Sequence, residues 1–356
     1  SPCDCCCHPM PPSPAVNPVL SHRNGFEGSL RDPAVRFHGP GRGYTVYYTR
    51  VNTDEPTRCP SDAEYNDARN WSIWAVDTMD FLAFGTPRAM TGPGYASPSE
   101  VIHYAGRWLW ACQTYPGASQ LYYFECKDLE TSQESQWDGP FPFLPEANTV
   151  PWSNYVPGLP GMTGPDGQVP AEIVARRAID PTFVVSGSST APQLHCLFTG
   201  TTKQPGAPKH CNLEGLAVCI DPSLKAWNVQ TQASPMMGAE VHPEGVENLC
   251  VLHCAGESER HGFGPLQWMM VLSVGLRDQH VAVAFSNDLL TWTAPRRCVF
   301  NSMQSWMQNR FGAPSVWRED GHLLMALMGE DLEGYCSIGL LRSEDGVAWT
   351  PYPTRP

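Results

Sequence analysis

Three acidic residues stand out because each begins a similar short segment. Asp32 and Asp180 are each followed by proline and an apolar stretch, and Glu247 is followed by a comparable stretch after Asn248. Carboxyl groups that share one cavity repel one another, so their pKa values separate and one group stays ionised while another keeps a proton. Hydrolysis of a glycosidic bond needs that pair, because the carboxylate activates water and the carboxylic acid protonates the leaving oxygen. The pattern predicts such a triad.

Two other interpretations of these residues stay open. Asp-Pro is a common turn former, and for one of the two aspartates alone a turn before a strand is the better explanation. Three acidic segment starts in one repeat favour the catalytic interpretation. Glu244 could replace Glu247 as the acid, but the apolar strand begins directly after Glu247, which favours Glu247.

The acidic residues belong to a repeat that runs through most of the chain. Each of five segments begins with a small or acidic residue and continues into an apolar strand and then a second one; the segments start at Arg31, Ser97, Ile179, Val246 and Gly312. Their spacing of about 65 to 83 residues suits one four-stranded antiparallel sheet per unit. The repeat predicts an all-β, five-bladed β-propeller, in which the starts of the innermost strands converge on one funnel. A β-sandwich is the alternative, and the tryptophans at matching strand ends disfavour it.

The composition agrees with this architecture and excludes several classes of protein. Glycine and proline are abundant, at 31 and 35 of 356 residues, and only 17% of residues are charged, which favours short strands and turns over long helices. The formal charge of −13 disfavours a nucleic-acid binder. No apolar run is long enough to cross a bilayer. We expect residues 30–356 to form a single propeller domain that carries the catalytic site.

Residues 1–29 predict an irregular arm rich in cysteine and proline that runs over the surface. A soft metal site is a weaker explanation of its cysteine cluster than disulfides or free thiols; the cluster comprises Cys3, Cys5, Cys6, Cys7 and His8. The chain has 14 cysteines, which suits an oxidising compartment, so we expect a secreted or periplasmic protein with some disulfides. Cys211 and the N-terminal cluster are the best candidates for pairing, whereas thiols inside apolar strands need no partner.

A long segment between the second and third repeats, residues 137–174, is rich in proline, glycine and aromatic residues. It predicts either a wall of the binding cleft or a loop packed down by its own aromatics, which include Phe141, Phe143, Trp152 and Tyr155. Further candidates for binding substrate are side chains that can clamp a hydroxyl or carboxylate, or stack on a sugar ring: Arg310, His103, His195, Trp152 and Trp306.

The segments at Asp32, Asp180 and Glu247 resemble, in order and approximate spacing, the signature sites of five-bladed glycosidases of glycoside hydrolase family 43 and relatives such as family 117. The resemblance spans roughly residues 28–352 and implies that Asp32 is the general base, that Asp180 orients the acid and tunes its pKa, and that Glu247 is the general acid. Proline usually follows the glutamate soon in these families, whereas Asn248 and Leu249 follow it here. The resemblance requires no cofactor; some relatives hold a metal at the axis, but no ligand set can be assigned in this sequence.

These observations predict a glycoside hydrolase that inverts the anomeric configuration of a plant or algal oligosaccharide or polysaccharide. Its base and acid carboxyl groups would then stand about 6.5–9.5 Å apart. A catalytically inactive, lectin-like propeller is the rival hypothesis, and it gives no reason to keep three carboxylates. Transfer to phosphate is a third hypothesis; it needs a cluster of basic residues in the funnel, which the sequence does not indicate. The sequence leaves open the sugar, whether an arabinofuranoside, xyloside or anhydrogalactoside, and the oligomeric state.

Overall fold

The computed structural model describes residues 17–55, 58–116, 119–129, 137–153, 177–202 and 210–352. Their strands form five separate, mainly antiparallel sheets, each assembled from consecutive strands. Strands of neighbouring blades contact one another, and the first blade also contacts the fifth. The predicted five-bladed β-propeller is confirmed.

The strands of each blade are as follows. Blade 1 contains β1 (Ser29–Phe37), β2 (Tyr44–Val51), β3 (Trp71–Thr78) and β4 (Arg88–Ala89). Blade 2 contains β5 (Tyr95–Ala96), β6 (Ile102–Tyr104), β7 (Arg107–Thr114), β8 (Leu121–Cys126) and β9 (Asp138–Pro142). Blade 3 contains β10 (Ala178–Ser188), β11 (Ala191–Thr202), β12 (Cys211–Cys219) and β13 (Trp227–Val229). Blade 4 contains β14 (Val246–His253), β15 (Trp268–Val274), β16 (His280–Ser286) and β17 (Arg296–Arg297). Blade 5 contains β18 (Val299–Phe300), β19 (Arg310–Glu319), β20 (His322–Glu330), β21 (Cys336–Ser343) and β22 (Ala348–Pro351).

In the described residues, helical structure is confined to short connections. Two α-helices of one turn, α1 (Asp62–Tyr65) and α2 (Glu257–Arg260), occur together with single 3-10 turns at His22–Asn24, Ala68–Asn70, Pro145–Thr149 and Ser305–Met307. Within the part of the chain that the structure describes, no helix has the length and apolar character needed to cross a membrane.

A backbone feature repeats at the start of all five innermost strands. One residue per blade adopts a left-handed conformation with φ between 47° and 53°; these residues are Asp32, Ser97, Asp180, Asn248 and Ala313. In the four blades with a continuous innermost strand, the register with the second strand shifts at this position, as in a β-bulge. The next residue lines a small axial cavity and is proline in four blades; the five are Pro33, Pro98, Pro181, Leu249 and Pro314. Proline suits the position because it leaves no N–H donor to be satisfied there.

The N–H group of the left-handed residue turns towards the preceding blade. Ser97 N–H donates to the Thr49 hydroxyl, and Ala313 N–H donates to the Ser273 hydroxyl, each at 2.8 Å. Thr49 and Ser273 both lie on the second strand of the preceding blade. The bulges are therefore fixed by contacts between blades as well as by their own strands, which places the side chains at the funnel accurately.

The apolar core lies between neighbouring sheets. One cluster joins blades 2 and 3 around Phe143 and Phe198, and others join blades 3 and 4 and blades 4 and 5. Trp110 of blade 2 is fully buried and stacks on Phe124, with ring centroids 4.3 Å apart. Since the apolar face of each sheet packs against the next, a blade is stable only within the ring.

The N-terminal arm differs from the expectation that it runs over the surface. Val19 and Leu20 are buried at 2% and 0% exposure, and Leu20 forms an antiparallel bridge with Ile338 of β21. Residues 17–20 thus extend the outer edge of blade 5 and link the start of the chain to its last blade. Residues 1–16 lie outside the described part of the chain, so the explanations of the cysteine cluster stay untested.

Blade 2 departs from the predicted repeat. Its innermost strand is divided into β5 and β6, which both pair with β7, and residues 97–101 between them are not in a strand. The described part of the long segment after blade 2 packs onto the molecule, because Phe143 is buried at 2% exposure and residues 138–142 form β9. Tyr155 lies outside the described residues.

Candidate active site

A cavity of about 570 Å³ opens at the end of the propeller where the innermost strands begin. Asp32 of β1, Asp180 of β10 and Glu247 of β14 all line it. The three carboxylates come from blades 1, 3 and 4, so residues 215 positions apart in the sequence meet at one site (247 − 32 = 215).

The three acidic residues are not in the same register. Asp32 and Asp180 occupy the left-handed position of their blades, whereas in blade 4 Asn248 occupies it and Glu247 precedes it by one residue. The expectation that all three were structurally equivalent strand starts is therefore wrong. Glutamate is longer than aspartate by one methylene, and its side chain still lines the same cavity from the earlier position.

Both oxygens of Glu247 accept hydrogen bonds from side-chain amides. Asn212 Nδ2 donates to Oε2 at 2.5 Å, and Gln279 Nε2 donates to Oε1 at 2.7 Å. The Thr201 hydroxyl donates to Asn212 Oδ1 at 3.0 Å, which orients the Asn212 amide towards Glu247. Burial raises the pKa of Glu247, although the positive charges of Arg177 and Arg310 and the bond from Gln279 oppose this rise. Glu247 can hold a proton at a higher pH than an ordinary glutamate.

Asp180 is buried at 7% exposure and bonded to Gln113, and a hydrogen bond with the Ser97 side chain also lowers its pKa. Its backbone N–H donates to Gln113 Oε1 at 2.5 Å, and Gln113 Nε2 lies 3.4 Å from its Oδ1. Burial raises the pKa of Asp180, and the charges of Glu247 and Asp32 raise it further. Asp32 accepts a hydrogen bond of 3.4 Å from the Ser97 hydroxyl. The three carboxyl groups therefore interact closely enough that ionising all of them at once is unfavourable.

Two further glutamates, Glu244 and Glu214, do not line the cavity. Glu244 Oε2 accepts the backbone N–H groups of Leu276 and Arg277, each at 2.9 Å. This supports Glu247 over Glu244 as the cavity acid. Glu214 of β12, which the sequence did not single out, is fully buried, and burial raises its pKa well above the ordinary value. It interacts electrostatically with Asp180 and Glu247 and accepts a hydrogen bond from Thr199 at 2.7 Å.

Three arginines also line the cavity, which corrects the expectation that the funnel has no basic cluster. They are Arg31, Arg177 and Arg310. Arg310 forms an ion pair of 2.7 Å with Glu330 and donates to the Leu276 carbonyl at 3.1 Å. The sequence did not single out Arg31 or Arg177, because one precedes a proposed catalytic residue and the other follows a long irregular segment.

The other predicted binding residues do not line this cavity. His103 lines a second cavity at the opposite end of the innermost strands, beside Trp108. The His195 ring is paired with the Ser186 hydroxyl at 2.7 Å. Trp152 stacks on Phe198 and donates to the Thr231 carbonyl. Trp306 is buried at 4% exposure and packs over Gly329 and Gly339. The two tryptophans fill gaps in blades 3 and 5, and none of the four residues lines the funnel.

Neither a metal site nor a disulfide is found in the part of the chain that the structure describes. No group of three or more His, Cys, Asp and Glu residues there could hold a metal ion, and proline and leucine surround the axis. Each of the ten described cysteines is a free thiol, including Cys211, which is buried at the start of β12. No described cysteine pairs with Cys211, and the N-terminal cysteines lie outside the described residues, so the pairing of Cys211 stays a prediction.

Comparisons with known proteins support the fold. No protein-family model matches the sequence, and no curated protein matches it. A thermostable family-43 glycoside hydrolase has a similar structure, with a TM-score of 0.55 and 13% identity over 96% of each chain. An α-L-arabinofuranosidase from Lactobacillus brevis has a TM-score of 0.53 and 15% identity over 96% of this chain and 98% of that one. A xylan β-1,4-xylosidase from Bacillus halodurans C-125 has a TM-score of 0.52 and 11% identity over 94% of this chain and 56% of that one.

These likenesses establish the class of fold. The chain has the five-bladed propeller of family-43 glycosidases, and the resemblance drawn from the sequence is confirmed at that level.

Proposed function

We propose that the protein is a glycoside hydrolase that cleaves an O-glycosyl bond of an oligosaccharide or polysaccharide with inversion. The observation that carries this proposal is the convergence of Asp32, Asp180 and Glu247 on one cavity. Bringing three interacting carboxyl groups into one cavity, with Asp180 buried and the other two half-buried, is costly, and a binding site for a neutral sugar has no use for them.

The chemistry requires two proton transfers. Asp32 accepts a proton from water while the water oxygen attacks the anomeric carbon, and the bond to the leaving oxygen breaks as Glu247 donates its proton. The raised pKa of Glu247 suits it to hold that proton. Asp180 contributes a further buried carboxyl beside the acid, so the triad retains a proton that would be lost from a single exposed carboxyl. The separation between the base and acid carboxyl groups stays a prediction.

The substrate class follows from the fold at a coarse level. Structures with this fold include an α-L-arabinofuranosidase and a xylan β-1,4-xylosidase, so plant polysaccharides are the first substrates to test. Action on such polymers would take place outside the cytosol, and we propose secretion or periplasmic export, which fractionation of the native cells tests.

The deciding experiment is hydrolysis of defined arabino-, xylo- and anhydrogalacto-oligosaccharides by the purified protein, with product analysis by chromatography. The proposal requires release of sugar that disappears in an Asp32→Asn variant, and NMR spectra recorded early in the reaction should show the inverted anomer. Binding without hydrolysis would instead favour the lectin-like alternative, and retention of configuration would contradict the assigned roles.

A further inference from the structure

One wall of the active-site cavity is a continuous row of aromatic rings. The Tyr65 and Trp71 centroids are 5.9 Å apart, and the Trp71 and Tyr115 centroids are 4.4 Å apart. All three residues line the cavity. Tyr65 is in α1, Trp71 begins β3 and Tyr115 follows β7, so the row connects blades 1 and 2. Trp71 is buried at 4% exposure between the half-buried rings of Tyr65 and Tyr115, so the two tyrosines offer the aromatic surface against which the apolar face of a sugar ring can pack.

An arginine lies against each end of this row. The Arg31 Cζ atom is 5.7 Å from the Tyr65 ring centroid and 5.8 Å from that of Trp71. The Arg177 Cζ atom is 5.4 Å from the Tyr115 ring centroid. The row and its two arginines form an aromatic–arginine wall: Arg31, Tyr65, Trp71, Tyr115 and Arg177. The rings hold the guanidinium groups in place by cation–π contact without using their N–H donors.

The donors of these two arginines are not used within the described chain. The Nε atoms of Arg31 and Arg177 are both buried without a hydrogen-bond partner. Neither guanidinium forms an ion pair with a described residue, in contrast to Arg310, which is paired with Glu330. Buried charged donors without partners are unfavourable, so a fixed pair of them beside a cavity indicates that a ligand completes their hydrogen bonding.

Neutralisation of the catalytic carboxylates does not account for this arrangement. Arg177 lowers the pKa of Asp180 and Glu247 only as an opposing charge, and Arg31 interacts with Asp32 only in the same way, without a direct ion pair in either case. Direct pairing would place its N–H groups on the carboxylates, as Arg310 does with Glu330. Asp62 and Glu333 also line the cavity, but both are exposed and therefore screened by solvent.

We propose that the sugar bound in this cavity carries an oxyanion, the carboxylate of a uronic acid or a sulfate ester, which Arg31 and Arg177 bind while the ring stacks on the aromatic–arginine wall. This inference rests on the proposed glycosidase function. Guanidinium groups match both anions because two parallel N–H donors fit two oxygens. A phosphate co-substrate fits less well, because a phosphate nucleophile needs no base to activate it and would leave the Asp32 carboxylate without a role.

The experiment uses pairs of ligands that differ only in charge. Binding to the full chain carrying Asp32→Asn is measured by calorimetry for galacturonate and glucuronate oligosaccharides and their methyl esters, and separately for sulfated galactan oligosaccharides and their desulfated forms. Each pair is then repeated with Arg31→Gln or Arg177→Gln added. Arg36→Gln is the matched control, because Arg36 lies on the same strand and stacks on Trp108 at 4.2 Å, but at the opposite end.

We expect the acidic member of at least one pair to bind about 10- to 100-fold more tightly than its neutral form, the range expected for charge-assisted hydrogen bonds. Either cavity variant should reduce that preference to less than about 5-fold, and Arg36→Gln should leave it intact. The ligand pair that shows this preference identifies the bound anion as a carboxylate or as a sulfate. If a glutamine variant does not fold by circular dichroism, Arg31→Lys and Arg177→Lys take its place and should lose most of the preference, because lysine lacks the planar fork.

The outcomes separate this inference from the proposed function. Hydrolysis of neutral oligosaccharides that depends on Asp32, with no preference for either anion, would overturn the inference and leave the function standing. Arginine-dependent anion binding without any hydrolysis by the unmodified protein would support the anion site and contradict the glycosidase. Consumption of inorganic phosphate with formation of a sugar phosphate would overturn the inference, because the arginines would then hold the nucleophile.

Discussion

The two ends of the innermost strands differ in chemistry although both open into cavities. The end where the strands begin holds a cavity of about 570 Å³, and the opposite end holds one of about 750 Å³. At the opposite end the charged side chains of Arg42, Lys127 and Asp128 are exposed. Burial raises the pKa of one carboxyl there, that of Glu100, but the other carboxyl that lines this cavity, that of Asp128, is exposed. The two cavities therefore differ less in size than in the convergence of interacting carboxyl groups, which is found at the funnel.

The difference originates in the backbone. At the funnel the left-handed residues lie in bulges, and contacts between blades hold these bulges in place. The opposite cavity is lined by ordinary strand residues such as Arg36 and Val316. The following predictions test whether activity belongs to the funnel alone.

The largest effect is expected from Asp32→Asn. Asparagine tolerates the left-handed backbone at this position, so folding should be unchanged while turnover falls about 10³- to 10⁴-fold, because water loses its base. Asp128→Asn changes a carboxylate at the opposite cavity and should leave turnover as in the unmodified protein. Near-normal turnover in Asp32→Asn would contradict the assignment of activity to the funnel.

Glu247→Gln should reduce turnover about 10²- to 10³-fold on substrates with a poor leaving group, because the leaving oxygen is no longer protonated. An aryl glycoside with an acidic phenol needs little protonation and should lose much less activity. Rates on both substrates check this expectation. The control is Glu244→Gln, which should affect melting temperature through the Leu276 and Arg277 bonds but not the ratio of the two rates. The reverse pattern would identify Glu244 as the acid.

A smaller effect is expected in the pH profile of Gln279→Leu. The Gln279 amide stabilises ionised Glu247, so its removal raises the pKa of Glu247 further. The acid then keeps its proton to higher pH, and the basic limb of kcat/KM should move up by about 0.5–1 pH unit. Gln193→Leu, which removes an amide bonded to the Cys219 carbonyl outside the cavity, is the control. A downward movement of the limb would contradict the acid role.

The smallest effect concerns stability. Because burial raises the pKa of Glu214 above its unfolded value, its contribution to stability is complete below the unfolded pKa of about 4 and is lost as pH rises through the folded pKa. The melting temperature of the unmodified protein should therefore fall between pH 5 and pH 8. The fall should be about 2–4 °C smaller in Glu214→Gln, because glutamine does not ionise. Asp128→Asn, at an exposed carboxyl, should follow the unmodified protein, and identical pH curves for all three would be inconsistent with a buried acid.

The fold could be predicted from the sequence because one backbone constraint leaves a visible signal. Proline follows the left-handed residue in four blades, so the segments at Asp32, Ser97, Asp180 and Ala313 are recognisable. Blade 4 has Leu249 in place of proline, and this is why the offset of Glu247 by one residue could not be read from the spacing. The division of the innermost strand of blade 2 also left no sequence signal.

The binding residues were harder to predict, because residue type does not show whether a side chain points into the cavity or into the core. Trp152 and Trp306 are as aromatic as Tyr65 and Tyr115, yet they pack into the core, where glycines opposite them provide the space. That signal exists in the sequence as Gly200, Gly329 and Gly339, but it can be interpreted only when the strand pairing is known. The aromatic–arginine wall combines residues from β1, from α1 and the start of β3, and from the positions next to β7 and β10, so no local pattern indicates it.

The bridge between residues 17–20 and β21 constrains how the chain can fold. Asn17 and Leu340 bond to each other across 323 positions of the sequence, so the ring closes through one of the longest-range contacts available. On a ribosome that adds about 5–20 residues per second, Val19 and Leu20 would wait roughly 15–65 s for their partners to be synthesised. During that interval four blades can form as an open arc with apolar faces exposed at both ends. Chaperone binding or premature association would compete at this stage, and closure of blade 5 ends that exposure.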